Sequence, residues 1–291
     1  MEHWVEFFKG HGTENDFVLL PDPDGTLVGD LSAEVVATLC DRRAGIGGDG
    51  VLRAVRTAAY DDPAAVVARG EAEWFMDYRN ADGSVSEMCG NGIRLFGRYL
   101  AEHQHVDTSR PLPVATRGGT KVVTFDDGSI SVDMGAPEIL GETKVGVAPR
   151  SWPALHVSMG NPHAVAFVDD LADAGTLLEA PDHDPEAYPD GVNVEFVVRR
   201  GERHLAMRVH ERGSGETRSC GTGACAVMVA AALADGFDPH RPGGTTYRVD
   251  VPGGRLEVTW AGTGHVVLTG AAVIVAGGTV DLAALEPKSR R

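Results

Sequence analysis

The sequence predicts a mixed α/β (α+β) protein of two halves, each mostly β structure wrapped around one central helix. Three observations carry that prediction: the length, an internal repeat, and a helical stretch in each half that follows a Cys-Gly-x-Gly signature. The chain has 291 residues, and at roughly 100 to 200 residues per domain this suggests two domains. Met76 to Cys89 reads MDYRNADGSVSEMC and continues GNG, while Met207 to Cys220 reads MRVHERGSGETRSC and continues GTG. Cys220 follows Cys89 by 131 residues, and the same offset superposes Met76 on Met207, Gly90 on Gly221 and Gly92 on Gly223. Fainter echoes keep the same order: Asp49-Gly50-Val51 with Asp190-Gly191-Val192, and GGTKVVT from Gly118 with GGRLEVT from Gly253. A duplicated fold sets equivalent loops face to face, so a small-molecule site is expected in an interdomain cleft. The expected division is residues 1–133 with 271–291 for the half carrying Cys89, and 134–270 for the half carrying Cys220.

Each element has a local cause. Runs rich in β-branched and aromatic residues, bounded by Gly, Asp or Pro, read as strands: Phe17 to Leu20, Gly191 to Val197 and Gly264 to Leu268. Ile93 to Leu100 and Ala224 to Ala234, each after its Cys-Gly-x-Gly, read as helices. The second is apolar almost all round, as a helix buried inside its domain would be. Tyr60 to Glu73 reads as an inserted loop, and Lys288-Ser289-Arg290-Arg291 as a disordered end.

Composition narrows the function classes. Hydrophobic residues are 43% and charged residues 23%, enough apolar material for packed cores and against wholesale disorder. The net charge of −16 repels phosphodiester backbones and anionic lipid, so neither nucleic acid nor a membrane is expected as partner. No basic start leads into an apolar stretch and no apolar run is long enough to span a bilayer, so a soluble, cytoplasmic protein is expected. The four cysteines, Cys40, Cys89, Cys220 and Cys225, form no C-x-x-C pair and have no matching His cluster. Neither a disulfide framework nor a zinc site is expected.

Cys89 and Cys220 each stand directly before Gly-x-Gly and a helix start, where free N–H groups and the positive dipole end favour anions. That setting is expected to lower the thiol pKa from about 8.5 towards neutrality and to hold a carboxylate beside the sulfur. A lone cysteine there would read as a small buried hydrophobe. Its recurrence with the same Gly-x-Gly in both halves argues for chemistry. Two thiols admit two chemistries, a redox pair closing a disulfide, or an acid and a base on opposite faces of one substrate carbon. In the second, both helix N-termini would stabilise the charge that builds on a carboxylate when its α-proton leaves. No Lys-based pyridoxal motif is present, and no cofactor is expected.

The motifs HGTENDF from His11, RRAGIGGDG from Arg42, YRNADGSVSEMCGNGIR from Tyr78, SMGNPHAV from Ser158, GVNVEF from Gly191 and HERGSGETRSCGTGACA from His210 together resemble the diaminopimelate epimerases. These are cofactor-independent enzymes that interconvert LL- and meso-2,6-diaminopimelate on the way to lysine and peptidoglycan precursors. The resemblance covers nearly the whole chain. It implies two pseudo-symmetric domains of mostly antiparallel β structure, closure on substrate, and a homodimer. It also implies that Cys89 and Cys220 are the acid/base pair, and that Gly90, Asn91, Gly221 and Thr222 offer main-chain N–H groups to the carboxylate at the reacting carbon. Asn15, Asn80, Asn161, Asn193 and Arg212 match substrate-binding positions, chiefly for the distal end; the planar fork of Arg212 suits a carboxylate. Glu211 and Asn80 each lie nine residues before their cysteine, so the duplication makes them equivalent. Glu211 suits a substrate ammonium, and with His163 it matches positions that tune the cysteines. Cys40 and Cys225 match no catalytic position and are expected in the core.

Two residues depart from the family pattern. Glu14 stands where members usually have Gly, which bears on the turn before Asn15, and Gly50 stands where some members carry a Gln near the ligand. Two rival readings remain open. One is a proline-racemase-type epimerase, whose substrate has a single carboxylate and against which Arg212 and the asparagines argue. The other is a thiol redox protein in which Cys89 and Cys220 form a disulfide.

Overall fold

In the computed structural model, which describes residues 4–27 and 31–285, the chain divides into two compact units. The first is Met1–Val132 with Ala271–Arg291, and the second is Asp133–Gly270. The basic tail at 288–291 lies outside the described residues.

The first unit contains β1 (Trp4–Gly12), β2 (Asn15–Pro21), α1 (Ala33–Cys40), β3 (Gly50–Arg56), α2 (Pro63–Val67), β4 (Trp74–Asn80), α3 (Gly90–His103), β5 (Leu112–Ala115), β6 (Lys121–Asp126) and β7 (Ser129–Gly135), in which the unit boundary falls. The second contains β8 (Glu138–Val147), β9 (Arg150–Ser158), β10 (Pro162–Phe167), β11 (Asp182–His183), β12 (Asn193–Gly201), β13 (His204–Glu211), β14 (Gly215–Thr217), α4 (Gly221–Ala234), β15 (Thr245–Val251), β16 (Gly254–Trp260) and β17 (Val266–Gly270). The last strand, β18 (Ala272–Asp281), returns to the first unit.

Strand pairing shows the duplication directly. Along the first unit the pairs β1–β2, β2–β3, β3–β4, β4–β5, β5–β6 and β6–β7 run antiparallel, parallel, antiparallel, parallel, antiparallel and antiparallel. The pairs β9–β10, β10–β12, β12–β13, β13–β15, β15–β16 and β16–β17 repeat that series in the second. An antiparallel partner completes each, β18 on β1 and β8 on β9. Mixed α and β structure with mostly antiparallel pairing is therefore the observed class. The register also corrects one sequence echo. Phe17 pairs with Gly50 and His163 with Asn193, so the residue equivalent to Gly50 is Asn193 rather than Gly191.

The two central helices are equal in length, 14 residues each, and both begin one residue after their cysteine. Gly221 to Ala232 of α4 is buried throughout, because β strands of its own unit pack around it. Small side chains such as Ala224, Ala226, Ala230 and Ala231 let those strands approach closely. The α3 helix is less uniformly apolar and carries a fully buried Arg94. Cys40 and Cys225 are both buried.

Tyr60 to Glu73 is not the loop read from the sequence. It contains α2, started by Pro63 behind an Asp62 cap whose side chain accepts the Ala64 N–H. Tyr60, Ala65, Ala68 and Ala72 join Val55, Phe75 and Ala115 in one hydrophobic cluster. Beneath it Asp77, fully buried, meets Arg117 at 2.8 Å and Arg79 at 3.0 Å, with Arg53 at 3.8 Å. Burial acts to raise the Asp77 carboxyl, and the hydrogen bond from Arg79 and the charge of Arg117 outweigh it, so the group stays below the ordinary value. Neutralising that carboxylate would take a partner from Arg79, Arg117 and Arg53, of which Arg117 keeps Asp62 and Arg53 keeps Asp22, a loss of about 3 kcal/mol, the low end for a broken buried pair. Asp77→Asn is expected to lower the unfolding free energy obtained from urea titration by about that amount; a variant as stable as the parent would show the network to be ornamental.

Candidate active site

In the first unit the site grows from the turn between β1 and β2. Thr13 and Glu14 have positive φ, 49° and 62°, which brings Asn15 onto the start of β2 with its side chain turned inward. Asn15 Nδ2 donates to Asp49 Oδ2 at 2.8 Å, while its Oδ1 accepts from Asn91 Nδ2 at 3.1 Å and faces Cys89 Sγ at 3.6 Å. Asp49 is held in turn by the Asp16 N–H at 3.1 Å and by Arg42 at 2.8 Å. Burial acts against ionisation of Asp16, but the Arg42 and Lys9 hydrogen bonds overcome it and hold its carboxyl at about 2. Glu14 thus keeps the turn that glycine would make, in a backbone region that costs a residue with a Cβ roughly 1 to 2 kcal/mol. Asn80 stands apart from this group; its Nδ2 donates to Ser84 Oγ at 3.0 Å within the following loop.

Cys89 caps α3. Its backbone is extended and its sulfur accepts the Gly92 N–H at 3.4 Å. Cys220 does the same for α4 with the Gly223 N–H, also at 3.4 Å. Ser, Thr, Asp and Asn are the usual N-caps, so a sulfur in that place in both units is a departure that ordinary helix stability does not explain. Gly90 and Asn91, and Gly221 and Thr222, form the two first turns and are all buried. Their N–H groups have no partner within the helix.

The second unit adds ionisable side chains around its cysteine. His163, fully buried on β10, contacts Glu195 Oε1 at 2.6 Å through Nδ1 and Asn161 Oδ1 at 3.0 Å through Nε2. Asn161 Nδ2 donates to Thr222 Oγ1 at 3.4 Å, and that hydroxyl lies 3.5 Å from Cys220 Sγ. Glu211 is partly exposed as a residue, but its carboxyl is enclosed beside Cys220 and accepts from the Thr217 hydroxyl. Asn193 Oδ1 accepts the Arg212 N–H at 2.9 Å, and the exposed Arg212 guanidinium rests on the Asp190 carbonyl at 3.2 Å.

The electrostatics at Cys220 overturn the sequence expectation. Burial pushes this thiol well above its ordinary value, and the Glu211 and Glu195 carboxyls push it further. The Thr222 hydroxyl and the Gly223 N–H act in the opposite sense and are outweighed. The helix N-terminus therefore does not bring this sulfur towards neutrality. Burial also raises the Glu211 carboxyl, against the Thr217 hydrogen bond.

The model of the family described as diaminopimelate epimerase matches residues 7–140 and 155–275. The chain belongs to that family. Diaminopimelate epimerase of Streptomyces coelicolor is 60% identical over 286 residues, covering 97% of each chain. Diaminopimelate epimerases of Thermobifida fusca and Corynebacterium glutamicum are 49% and 44% identical, covering 97% and 96% of this chain and 100% and 99% of their own. Among solved structures, a hydroxyproline epimerase from Agrobacterium vitis is similar with a TM-score of 0.67 at 15% identity, over 96% of this chain and 94% of that one. A phenazine biosynthesis protein of the PhzF family from Bacillus anthracis is similar with a TM-score of 0.69 at 16% identity, over 95% and 99%. Those two similarities show a shared fold.

Sequence reasoning gave no role to Glu195 and Asp49, which the structure sets beside His163 and Asn15 respectively. A signal for Glu195 was present: it is a lone carboxylate in the apolar run Val194 to Val198, and such a residue in a buried strand needs a partner. Asp49 lay inside a quoted motif without a role. Among the described residues no group of three or more His, Cys, Asp or Glu side chains is placed to hold a metal ion, no disulfide links the cysteines, and no helix is long and apolar enough to cross a membrane.

The geometry gives two expectations. In the substrate-free protein, alkylation of Cys220 by iodoacetamide, followed by peptide mass spectrometry, should keep rising with pH beyond 9; a plateau near pH 7 would contradict the electrostatics described above. Glu14→Gly should raise the unfolding free energy by up to about 1 kcal/mol, since it relieves the left-handed backbone at the cost of a looser unfolded chain. A lower melting temperature would mean that the Glu14 side chain, not the backbone, secures the turn.

Proposed function

We propose that the chain interconverts LL- and meso-2,6-diaminopimelate by two-base proton transfer, with Cys89 and Cys220 acting on opposite faces of the reacting α-carbon. As a family member the chain is an isomerase, an epimerase of diaminopimelate. The observation that carries the mechanism is the pair of equivalent helix starts, each capped by a cysteine sulfur that also borders a set of polar side chains.

The step balances without an external oxidant or a cofactor. One thiolate takes the α-proton and becomes a thiol, leaving the electron pair on the carbon and its carboxylate. The other thiol gives its proton to the opposite face and becomes the thiolate, and exchange with solvent resets the pair. Main-chain N–H groups of Gly90, Asn91, Gly221 and Thr222 would receive the carboxylate whose charge grows in the transition state, aided by two helix N-termini. Asn15, Asn80, Asn161, Asn193 and Arg212 would hold the distal amino-acid end, and Glu211 an ammonium group. His163 and Glu211 would tune Cys220. Asn80 must exchange its bond to Ser84 for one to substrate. The reading places the protein in the cytoplasm, as a homodimer, in the supply of lysine and peptidoglycan precursors.

Purified, reduced protein given LL-diaminopimelate should produce the meso isomer. Cys89→Ala and Cys220→Ala should each lower kcat by at least about 100-fold, the scale of a lost general acid or base, with circular dichroism unchanged. Substantial turnover in either folded variant would remove the two-base mechanism. Arg212→Ala should raise KM by about 10-fold or more, as expected for a lost charged hydrogen bond; an unchanged KM would take Arg212 out of the site.

A further inference from the structure

The two units set different side chains against equivalent helix starts. In the parallel pairs β2–β3 and β10–β12, Phe17 is opposite Gly50 and His163 opposite Asn193; two residues on, Leu19 is opposite Leu52 and Val165 opposite Glu195. Phe17 thus corresponds to His163, and Leu52 to Glu195. The third helix residue senses the difference. A Cβ on Gly92 would meet Leu52 Cδ2 at 3.2 Å and Phe17 Cζ at 3.5 Å, whereas a Cβ on Gly223 would meet Glu195 Oε1 at 2.6 Å and Cys220 Sγ at 3.2 Å. In one unit the cysteine's helix rests on apolar side chains, in the other on a carboxylate.

That carboxylate is held by its partners. Both nitrogens of His163 face oxygen acceptors, Glu195 Oε1 at 2.6 Å and Asn161 Oδ1 at 3.0 Å, with the Asn161 amide oriented by its own donation to Thr222. A 2.6 Å contact has the shortness of a charge-assisted bond. Burial raises the Glu195 carboxyl above its ordinary value and His163 opposes that rise, while its Oε2 has no hydrogen-bond partner among the described residues. Because Oε1 lies against Gly223, that carboxyl borders the start of the cysteine's helix.

We propose that Glu195 is a positioning residue that, with Glu211, keeps Cys220 in its proton-bearing thiol form, so that the two cysteines enter the reaction unequal. Glu211 faces Cys220 from β13 and Glu195 from β12; His163 on β10 and the hydroxyl of Tyr188 face Glu195, and His156 on β9 faces His163. The thiol is buried, and Glu211 and Glu195 both oppose its ionisation, as negative charge near a thiol does. In the first unit the positions of His163 and Glu195 are filled by Phe17 and Leu52, which carry no charge. The inference rests on the reading of Cys220 as an acid/base group.

Glu195→Gln keeps the shape of the side chain and an acceptor for the His163 N–H while removing the charge. Its Cys220 alkylation profile, measured without substrate by peptide mass spectrometry, should move to lower pH by about one unit, so that Cys220 reacts roughly 10-fold faster at a fixed pH below the midpoint. The alkaline limb of kcat/KM should move the same way, with KM within about twofold. The paired exchange His163→Phe with Glu195→Leu copies a pair already packed beside the equivalent helix, and should shift the profile in the same direction. Glu195→Asp retains the charge and should shift it by less than half as much as Gln. A Cys220 profile that stays in place or moves to higher pH in the Gln and paired variants would overturn the proposal, as would an Asp variant that shifts as far as Gln. Alkylation needs no diaminopimelate, so failure of the proposed reaction and failure of this inference are separately visible.

Discussion

The site in each unit depends on one contact, a cysteine sulfur accepting the N–H of the third residue of a buried 14-residue helix. A helix inside a domain cannot leave its first N–H groups to bulk water, so its start must be capped from within the protein or by a ligand. Here the sulfur takes one N–H in each unit. Gly90 and Asn91, and Gly221 and Thr222, build the first turns of these helices. The demands of burying the helix and of presenting a reactive thiol beside N–H donors are thereby met by the same few residues.

Duplication gave both units the same strand order and the same capped helix, and later divergence made their surroundings different. Around Cys89 the polar contacts come from neutral amides, Asn15 and Asn91, with the charges of Asp16, Asp49 and Arg42 one step behind. Around Cys220 the Glu211 carboxyl is hydrogen-bonded to the sulfur, and both Glu211 and Glu195 act on it by their charge. An epimerase that meets two mirror-related faces of a carbon needs one thiolate and one thiol at any moment. An asymmetric frame decides which thiol bears the proton before substrate arrives. A symmetric frame would leave the choice to chance, with both sulfurs protonated in much of the population.

Much of this was legible in the sequence because it lies in local pattern. The Cys-Gly-x-Gly starts marked both helices, β-branched runs marked β2, β12 and β17, and the offset of 131 residues joined the two cysteines. What was missed depends on register and burial, which a linear reading does not contain. Asp49-Gly50-Val51 was matched to the wrong triplet because a conserved-looking tripeptide outweighed a pairing that only the strands reveal. Tyr60 to Glu73 read as an inserted loop, yet its alanines fill a hydrophobic cluster. The expected lowering of the Cys220 thiol failed because the helix terminus was weighed alone, without the burial and the carboxylates that oppose it.

The most direct test of the central claim, one cysteine on each face of the substrate carbon, is the isotope content of both isomers early in the reaction. LL-diaminopimelate would be incubated with the enzyme in D₂O and quenched at a few per cent conversion. The account expects the new meso product to carry one α-deuteron while the remaining LL substrate carries none, because the proton removed by one sulfur is not the one returned by the other. Meso product that retains its α-protium, or deuterium accumulating in unconverted LL substrate at the same rate, would show a single base serving both faces and would contradict it.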